Sequence, residues 1–309
     1  MSLNDADVAA PTREIESTPA RAVPQQVWFD GRFVDADSDR APLTTHAMHY
    51  GSGVFEGIRA YATSDGGSAV FRLPEHLERM RKGCELLGIA FDVDVATEAT
   101  LQVLRQNGHR DAYVRPLAWC GTGSIGLDVS AVDKHLMIAT FPTNVHLAGA
   151  RVKLGTSSWR RNPSSSLPPL KLCGAYINSI LAKHEVKQRG CNEALFVDEQ
   201  GRVVECTGAN VFMVRDGRIT AVEHRDALAG ITRDSIIALT GAQSRPVRHD
   251  ELLDADEVFV VGTAAEVTPV DELDDRSYAD HRVGREIADL YRRVVRGEEP
   301  RYARWLTRV

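Results

Sequence analysis

Cysteine is scarce in this chain. Five residues, Cys84, Cys120, Cys173, Cys191 and Cys206, are scattered without CxxC spacing. That pattern argues against a zinc ribbon or a thioredoxin-like motif, and reduced thiols in a cytoplasmic protein are the expectation. No apolar run approaches the length needed to cross a bilayer. The segment Met1 to Pro24 has no apolar core of the signal-peptide kind and reads as a disordered leader. No excess of basic charge exists either: the net charge is −6, so nothing in the balance proposes nucleic acid or an anionic membrane as partner. The one short basic cluster, Ser158 to Asn162, reads as a solvated loop. No internal repeat, P-loop or dinucleotide fingerprint is present.

What remains is ordinary globular composition, 43% hydrophobic and 26% charged, over 309 residues, enough for two domains. Asp30-Gly31 between Val27-Trp28-Phe29 and Arg32-Phe33-Val34 signals a hairpin, and Val54 to Ala62 with Ser68 to Phe71 signals a second. Leu77, Met80, Cys84 and Leu87 recur at helical spacing, so 74–87 reads as a helix opened by proline. Ala112 to Cys120 and Leu136 to Phe141 read as strands that complete a mixed unit over 25–144, followed by a linker over 145–150. Beyond it, over 151–309, come a strand at 152–157, a Pro/Ser-rich stretch at 162–169 and a helix over 176–188. A β-meander over 194–222, with a barrel-like core, follows. The chain continues with a helix opened by Gly230-Ile231-Thr232 with Thr232 as N-cap, a buried strand at 258–261 and a last helix over 283–294. Hairpins mixed with helices, without βαβ alternation, make this an α+β protein of two domains.

Chemistry-bearing residues are few. Of six lysines, Lys171 alone sits among aliphatics, in Leu167-Pro168-Pro169-Leu170-Lys171-Leu172. An apolar setting disfavours the ammonium form and leaves a nucleophilic amine suited to a Schiff base, although a lysine ending a proline loop is commonly a surface residue. Glu205 ends an apolar strand and needs a partner, because an unpaired buried charge is costly. An arginine would serve, and so would a cationic N–H on a ligand. The helix start at Gly230-Ile231-Thr232 and the turn Gly262-Thr263-Ala264-Ala265 are places where backbone N–H groups can meet an anion. His46 and His49 have HxxH spacing with Glu56 following, but no third ligand is placed, and no metal is expected.

Seven blocks in order resemble the branched-chain amino acid aminotransferases, which are class IV aminotransferases of pyridoxal-phosphate fold type IV. They are His46 to Tyr61 with its Phe55-Glu56-Gly57-Ile58-Arg59 core, Phe71 to Met80, Ala112 to Pro116, Lys171 to Tyr176, the strand bearing Glu205, Gly230 to Asp234, and Gly262 to Val270. The resemblance implies pyridoxal 5'-phosphate lying between a small N-terminal and a larger C-terminal domain, and a homodimer or higher homo-oligomer whose pockets share residues. By it, Lys171 would carry the cofactor and shuttle a proton. Glu205 would pair with the ring nitrogen and Tyr176 with the phenolic oxygen. Arg79, Ile231, Thr232 and Thr263 would hold the phosphate. Phe55 and Tyr50 would line the side-chain pocket, Tyr50 serving the partner subunit. Tyr113, Thr263 and Ala264 would receive the α-carboxylate, and Arg59 and Arg115 would stand at the pocket rim for the second carboxylate of glutamate.

The implied reaction is transfer of an amino group from leucine, isoleucine or valine to 2-oxoglutarate. D-amino acid transamination, aminodeoxychorismate lyase chemistry, a transaminase of a specialised pathway and a catalytically idle homologue are the alternatives. The chain departs from the family pattern at Ala175, commonly asparagine, and at Ala209, commonly glutamate. It is shorter over 237–250 and 271–280. These departures bear on specificity.

Overall fold

The computed structural model describes residues 26–37, 41–142 and 152–309. The leader at 1–24 and the linker at 145–150 lie outside the described residues. In chain order the first part runs Gln26–Phe29 (β1), Arg32–Asp35 (β2), His46–Tyr50 (α1), Gly53–Phe55 (β3), Ile58–Ala62 (β4), Ser68–Phe71 (β5), Leu73–Leu86 (α2), Val93–Gln106 (α3), Ala112–Cys120 (β6) and Lys134–Pro142 (β7). Next come Lys153–Thr156 (β8), Tyr176–Gln188 (α4), Glu193–Val197 (β9), Val203–Cys206 (β10), Asn210–Arg215 (β11), Arg218–Val222 (β12), Ile231–Thr240 (α5), Gln243–Arg245 (β13) and His249–Leu253 (α6). Glu257–Gly262 (β14), Glu266–Pro269 (β15), Glu272–Leu273 (β16), Arg276–Ser277 (β17), Arg282–Val295 (α7) and Leu306–Arg308 (β18) finish the chain.

The β1–β2 hairpin turns on Asp30 and Gly31 at φ 44° and 90°, the left-handed pair that matches strand twist. Helix α2 starts with proline in its first turn and buries Leu77, Met80 and Cys84. Helix α3, capped by the Asp92 carboxylate accepting from the Asp94 and Val95 N–H groups, was not among the sequence expectations. Its buried face is Ala96, Ala99, Thr100, Leu101, Val103 and Leu104. These helices lie against an eight-stranded sheet ordered β18-β5-β4-β6-β7-β1-β2, with β3 also paired to β6. The C-terminal strand β18 therefore returns to the sheet built by the first part of the chain, antiparallel to β5.

The second hairpin differs from expectation in one respect. The run from Val54 to Ala62 is interrupted at Glu56-Gly57, leaving β3 and β4 as separate strands. Glu56 turns inward to an arginine, and a Cβ on Gly57 would collide with the Tyr113 hydroxyl. The meander is divided as well: β9 and β10 join β8, β16 and β17, whereas β11 and β12 join β13, β14 and β15. A tight turn, with the Cys206 N–H donating to the Ala209 carbonyl at 2.8 Å, passes the chain between the two sheets. Leu154, Leu195, Val211, Val258 and Val260 are among the side chains that fill the core they share. Among the described residues no helix is long and apolar enough to cross a membrane. The architecture is α+β.

Candidate active site

Lys171 is fixed by its backbone. Its carbonyl accepts from the Phe55 N–H at 3.1 Å, Leu172 bridges Val54, and the 3₁₀ turn Cys173–Ala175 leads directly into α4. The Gly174 N–H donates to the Gly51 carbonyl at 3.0 Å. At Gly51, with φ 65°, a Cβ would stand 2.7 Å from Gly174 Cα, so glycine is required twice over. The half-buried Lys171 amine donates to the Tyr176 hydroxyl at 3.0 Å. It also lies 5.1 Å from the Phe55 ring centroid and 5.3 Å from that of Tyr176, and the two rings meet edge to face at 4.7 Å.

Glu205, 5% exposed at the end of β10, has an arginine of the chain as one partner. Arg161 Nε donates to Oε1 at 2.7 Å, while Oε2 accepts from the Leu228 N–H at 3.1 Å and from Asn210 Nδ2 at 3.4 Å. Burial pushes the carboxyl above its ordinary range, and the charges of Arg161 and Lys171 with the Leu228 N–H oppose that shift without cancelling it. The reading of 158–162 as a solvated loop is thereby corrected. Ser158, Trp159 and Arg160 are exposed, but Arg161 is only 8% exposed. Asn178 Nδ2 donating to the Arg160 carbonyl and Asn162 Nδ2 donating to the Ala175 carbonyl turn it inward from both sides.

An anion-attracting corner forms where α2 meets α5. Arg79 donates from Nε and Nη2 to the two oxygens of Glu56 at 2.7 and 3.0 Å, and from Nη1 to the Ala229 carbonyl at 2.8 Å. A guanidinium has five N–H groups, so donors remain on both terminal nitrogens. Glu56 is fully buried and also contacts His76 Nδ1 at 2.8 Å. Burial would raise the Glu56 carboxyl, but Arg79 and His76 win and hold it well below the usual range. Burial likewise lowers His76, against the pull of Glu56, and the Lys171 charge adds to that lowering.

Helix α5 begins here. Arg72 Nη1 donates to Asp234 at 2.6 Å and ties the start of α2 to the start of α5. Its N-cap is Gly230 rather than the expected Thr232, which lies inside the first turn and is buried. The reason is packing: Asn210 occupies the space of a Gly230 Cβ, and the Thr232 hydroxyl is engaged by Tyr291. The N–H groups of this first turn, Ile231 and Thr232 included, are the ones a helix leaves without intrahelical partners.

On the apolar side, Arg115 lies over the Phe55 ring at 4.9 Å, donates to the Tyr113 hydroxyl at 2.8 Å, and keeps a buried Nε with no acceptor among the described residues. Arg59, on β4, is 3% exposed, 4.8 Å over the Tyr61 ring and 3.7 Å from Glu266. Thr263 and Ala264 form the β14–β15 turn beside Gly208, whose carbonyl would stand 3.0 Å from a Cβ on Gly262. Tyr50 is engaged elsewhere, with its ring against His46 at 4.8 Å and its hydroxyl donating to the Ile125 carbonyl at 3.0 Å. Both histidines of the HxxH pair are hydrogen-bonded, His46 to Ser52 and Gly126 and His49 to Leu43.

Sequence reasoning missed Arg161, Glu56, His76 and Asn210. Glu56 and His76 lie within the His46–Tyr61 and Phe71–Met80 segments, and Arg161 lies in the basic cluster. Buried pairs across 23 and 44 residues leave no periodic trace.

Residues 53–273 match the family model for amino-transferase class IV. The chain is 36% identical to a branched-chain-amino-acid aminotransferase of Pseudomonas aeruginosa, with 92% of this chain and 97% of that protein covered. It superposes with TM-score 0.89 and 40% identity on a T.th. branched-chain amino acid aminotransferase complexed with N-(5'-phosphopyridoxyl)-L-glutamate, covering 93% of this chain and 99% of the other. With the PLP-form (holo-form) of the branched-chain amino acid aminotransferase from Thermobaculum terrenum the values are 0.86 and 33%, with 93% and 99% covered. A lysine amine, a buried carboxylate and an arginine at a helix start, brought together on a scaffold matched over this length, place the chain in the class IV aminotransferase family, among its branched-chain-amino-acid aminotransferases.

Proposed function

We propose that this protein uses pyridoxal 5'-phosphate, held at Lys171, to transfer the amino group of leucine, isoleucine, valine and related aliphatic L-amino acids to 2-oxoglutarate in two half-reactions. The observation that carries the reading is the Lys171 amine donating to the Tyr176 hydroxyl at 3.0 Å and lying over the Phe55 ring at 5.1 Å, on a scaffold that also buries Glu205 and the Arg79–Glu56 pair. Those groups suit the cofactor's handles. The amine suits its aldehyde, Tyr176 its phenolic oxygen, Glu205 its ring nitrogen, and Arg79 with the first turn of α5 its phosphate. The unspent Arg79 donors, the free N–H groups of Ile231 and Thr232, and the hydroxyl of Thr263 are the right chemistry for a dianion.

When bound, the cofactor supplies an electron sink for the pair left at the substrate Cα. Lys171 Nζ would carry the proton between that carbon and the cofactor's C4′, from Cα to C4′ in the first half-reaction and from C4′ to Cα in the second. Glu205 Oε1, with one hydrogen bond from Arg161, retains a lone pair to hold the proton on the ring nitrogen. Phe55 and, from the partner subunit, Tyr50 meet the aliphatic side chain. Tyr113 and the Thr263-Ala264 turn receive the α-carboxylate, and Arg115, with its free Nε, takes the second carboxylate of glutamate. The complex of the T.th. relative with N-(5'-phosphopyridoxyl)-L-glutamate supports glutamate as an amino-group partner here.

The same proposal includes a homodimer, a cytoplasmic location, and division into 25–144 and 151–309 about a linker at 145–150. The dimer is supported by apolar surface beside the site: Met48 and Tyr50 on α1, Ile177, Ile180 and Leu181 on α4, all exposed, with the two helices joined by the Gly51–Gly174 contact. The cytoplasmic location rests on thiols without pairing motifs.

The decisive test is the near-ultraviolet and visible absorbance of purified protein before and after L-leucine is added. A visible cofactor band that moves to the ultraviolet with leucine is expected. A band that leucine leaves unmoved would overturn the substrate assignment, and no band after pyridoxal phosphate is supplied would overturn the whole reading.

A further inference from the structure

Arg161 is a guanidinium in an unusual position for a loop residue. It lies in the segment between β8 and the Pro/Ser-rich stretch, is buried, and spends its Nε on Glu205 Oε1 at 2.7 Å. Its Nη1 is buried as well and finds no acceptor among the described residues. Burying a guanidinium to serve one hydrogen bond is a poor arrangement for fold stability, because desolvation takes back what the pair gains. The surrounding chain nevertheless enforces it, through Asn178 on the Arg160 carbonyl and Asn162 on the Ala175 carbonyl. The arrangement is better explained by what it does to Glu205.

Glu205 is surrounded as follows. Arg161 approaches Oε1 from the loop, the Leu228 N–H and Asn210 Nδ2 approach Oε2 from the 224–228 segment and β11, and Lys171 contributes charge from across the site. On its own strand Cys206 is the titratable neighbour, itself pushed up by burial. Of these, Arg161 is the one cation in direct contact. Without it, a fully desolvated carboxyl would take up a proton in preference to staying ionised. A protonated Glu205 no longer offers a negative charge to a protonated ring nitrogen.

We propose that Arg161 is a positioning residue of the site, acting through Glu205: it keeps that carboxylate ionised and aimed, so that the ring nitrogen of the cofactor finds a negative partner over the working pH range. The inference rests on the cofactor assignment made above. It concerns cofactor retention, and it predicts a pH dependence that a purely structural arginine would not produce.

The probe is pyridoxamine 5'-phosphate, which carries the same ring and phosphate but cannot condense with Lys171. Its Kd is measured by fluorescence titration of the full chain, freed of cofactor by dialysis, at acidic and alkaline pH. The titration of the probe itself is common to all variants and cancels in the comparison. In Arg161→Met, the ratio of the acidic to the alkaline Kd is expected to exceed the wild-type ratio by about tenfold or more, and Arg161→Lys, which keeps the charge, to lie near wild type. Arg161→Met in the Glu205→Gln background is expected to cost no further affinity and to lack the added pH dependence, because no carboxylate is left to titrate.

A wild-type pH ratio in Arg161→Met, or an equal loss of affinity from that substitution whether residue 205 is Glu or Gln, would overturn the proposal. Should Arg161→Met alone not fold, the comparison of Arg161→Lys with wild type and of Arg161→Met/Glu205→Gln with Glu205→Gln decides the matter. A wild-type chain that fails to bind the probe at all would instead overturn the cofactor assignment, so the two failures are distinguishable.

Discussion

Lys171 and Arg115 are both cations over the Phe55 ring, at 5.1 and 4.9 Å, yet their substitution is expected to fail in different ways. Lys171→Ala removes the amine that holds the cofactor and moves the Cα proton, so turnover and the visible cofactor band should vanish together. A variant that still transaminates at the wild-type rate would remove Lys171 from the mechanism. Arg115→Leu leaves the amine in place and deletes one charged hydrogen-bond donor for the second carboxylate of glutamate. A charged hydrogen bond of this kind is worth about 1.5–3 kcal/mol, so KM for 2-oxoglutarate should rise by roughly ten- to a hundredfold. The leucine half-reaction, followed by stopped-flow absorbance, should change far less. Equal losses for both substrates would mean that Arg115 serves the pocket as a whole.

At the scale of elements, the contact between α2 and the β3–β4 corner is the most heavily invested. Glu56 is fully buried and pairs with Arg79 through two hydrogen bonds and with His76 through a third contact. Glu56→Gln leaves the Arg79 charge without its counter-charge and should cost about 3–5 kcal/mol of unfolding free energy near neutral pH. The pH dependence follows from the depressed Glu56 carboxyl. Its contribution is complete above the unfolded glutamate value of about 4.3 and is lost as pH falls below it, so the gap between wild type and Glu56→Gln should narrow in acid. Urea unfolding of both proteins across that range measures it, and a gap independent of pH would contradict the electrostatic account.

At the scale of the whole molecule, apolar side chains on α1 and α4 remain exposed, Ile177 at 58% and Ile180 at 60%. Sedimentation should give a mass of at least twice 34.0 kDa, and Ile180→Glu should shift the protein toward monomer and lower its activity. A variant that is monomeric and fully active would show that the site needs nothing from a partner. A wild-type monomer would remove the oligomer from the reading altogether.

Much of this was legible in the sequence because it depends on neighbours along the chain. The Asp30-Gly31 hairpin, α2 and α7 follow from local turn chemistry and from apolar spacing that a single element expresses. Lys171 stood out by its aliphatic flanks, and Glu205 by its place at the end of an apolar strand. What only the tertiary structure decided is who meets whom. Arg161 reads as a loop cation until Glu205, 44 residues on, is seen to take its Nε. Glu56 reads only as the acid that follows an HxxH pair until Arg79, 23 residues on, is seen to take both its oxygens. The 194–222 run reads as one meander until the turn after Cys206 delivers its halves to two sheets. The physical reason is common to all three. Burial, and with it the partner and protonation of a charged group, is set by chain segments distant in sequence, whereas propensity and periodicity report only on the segment itself.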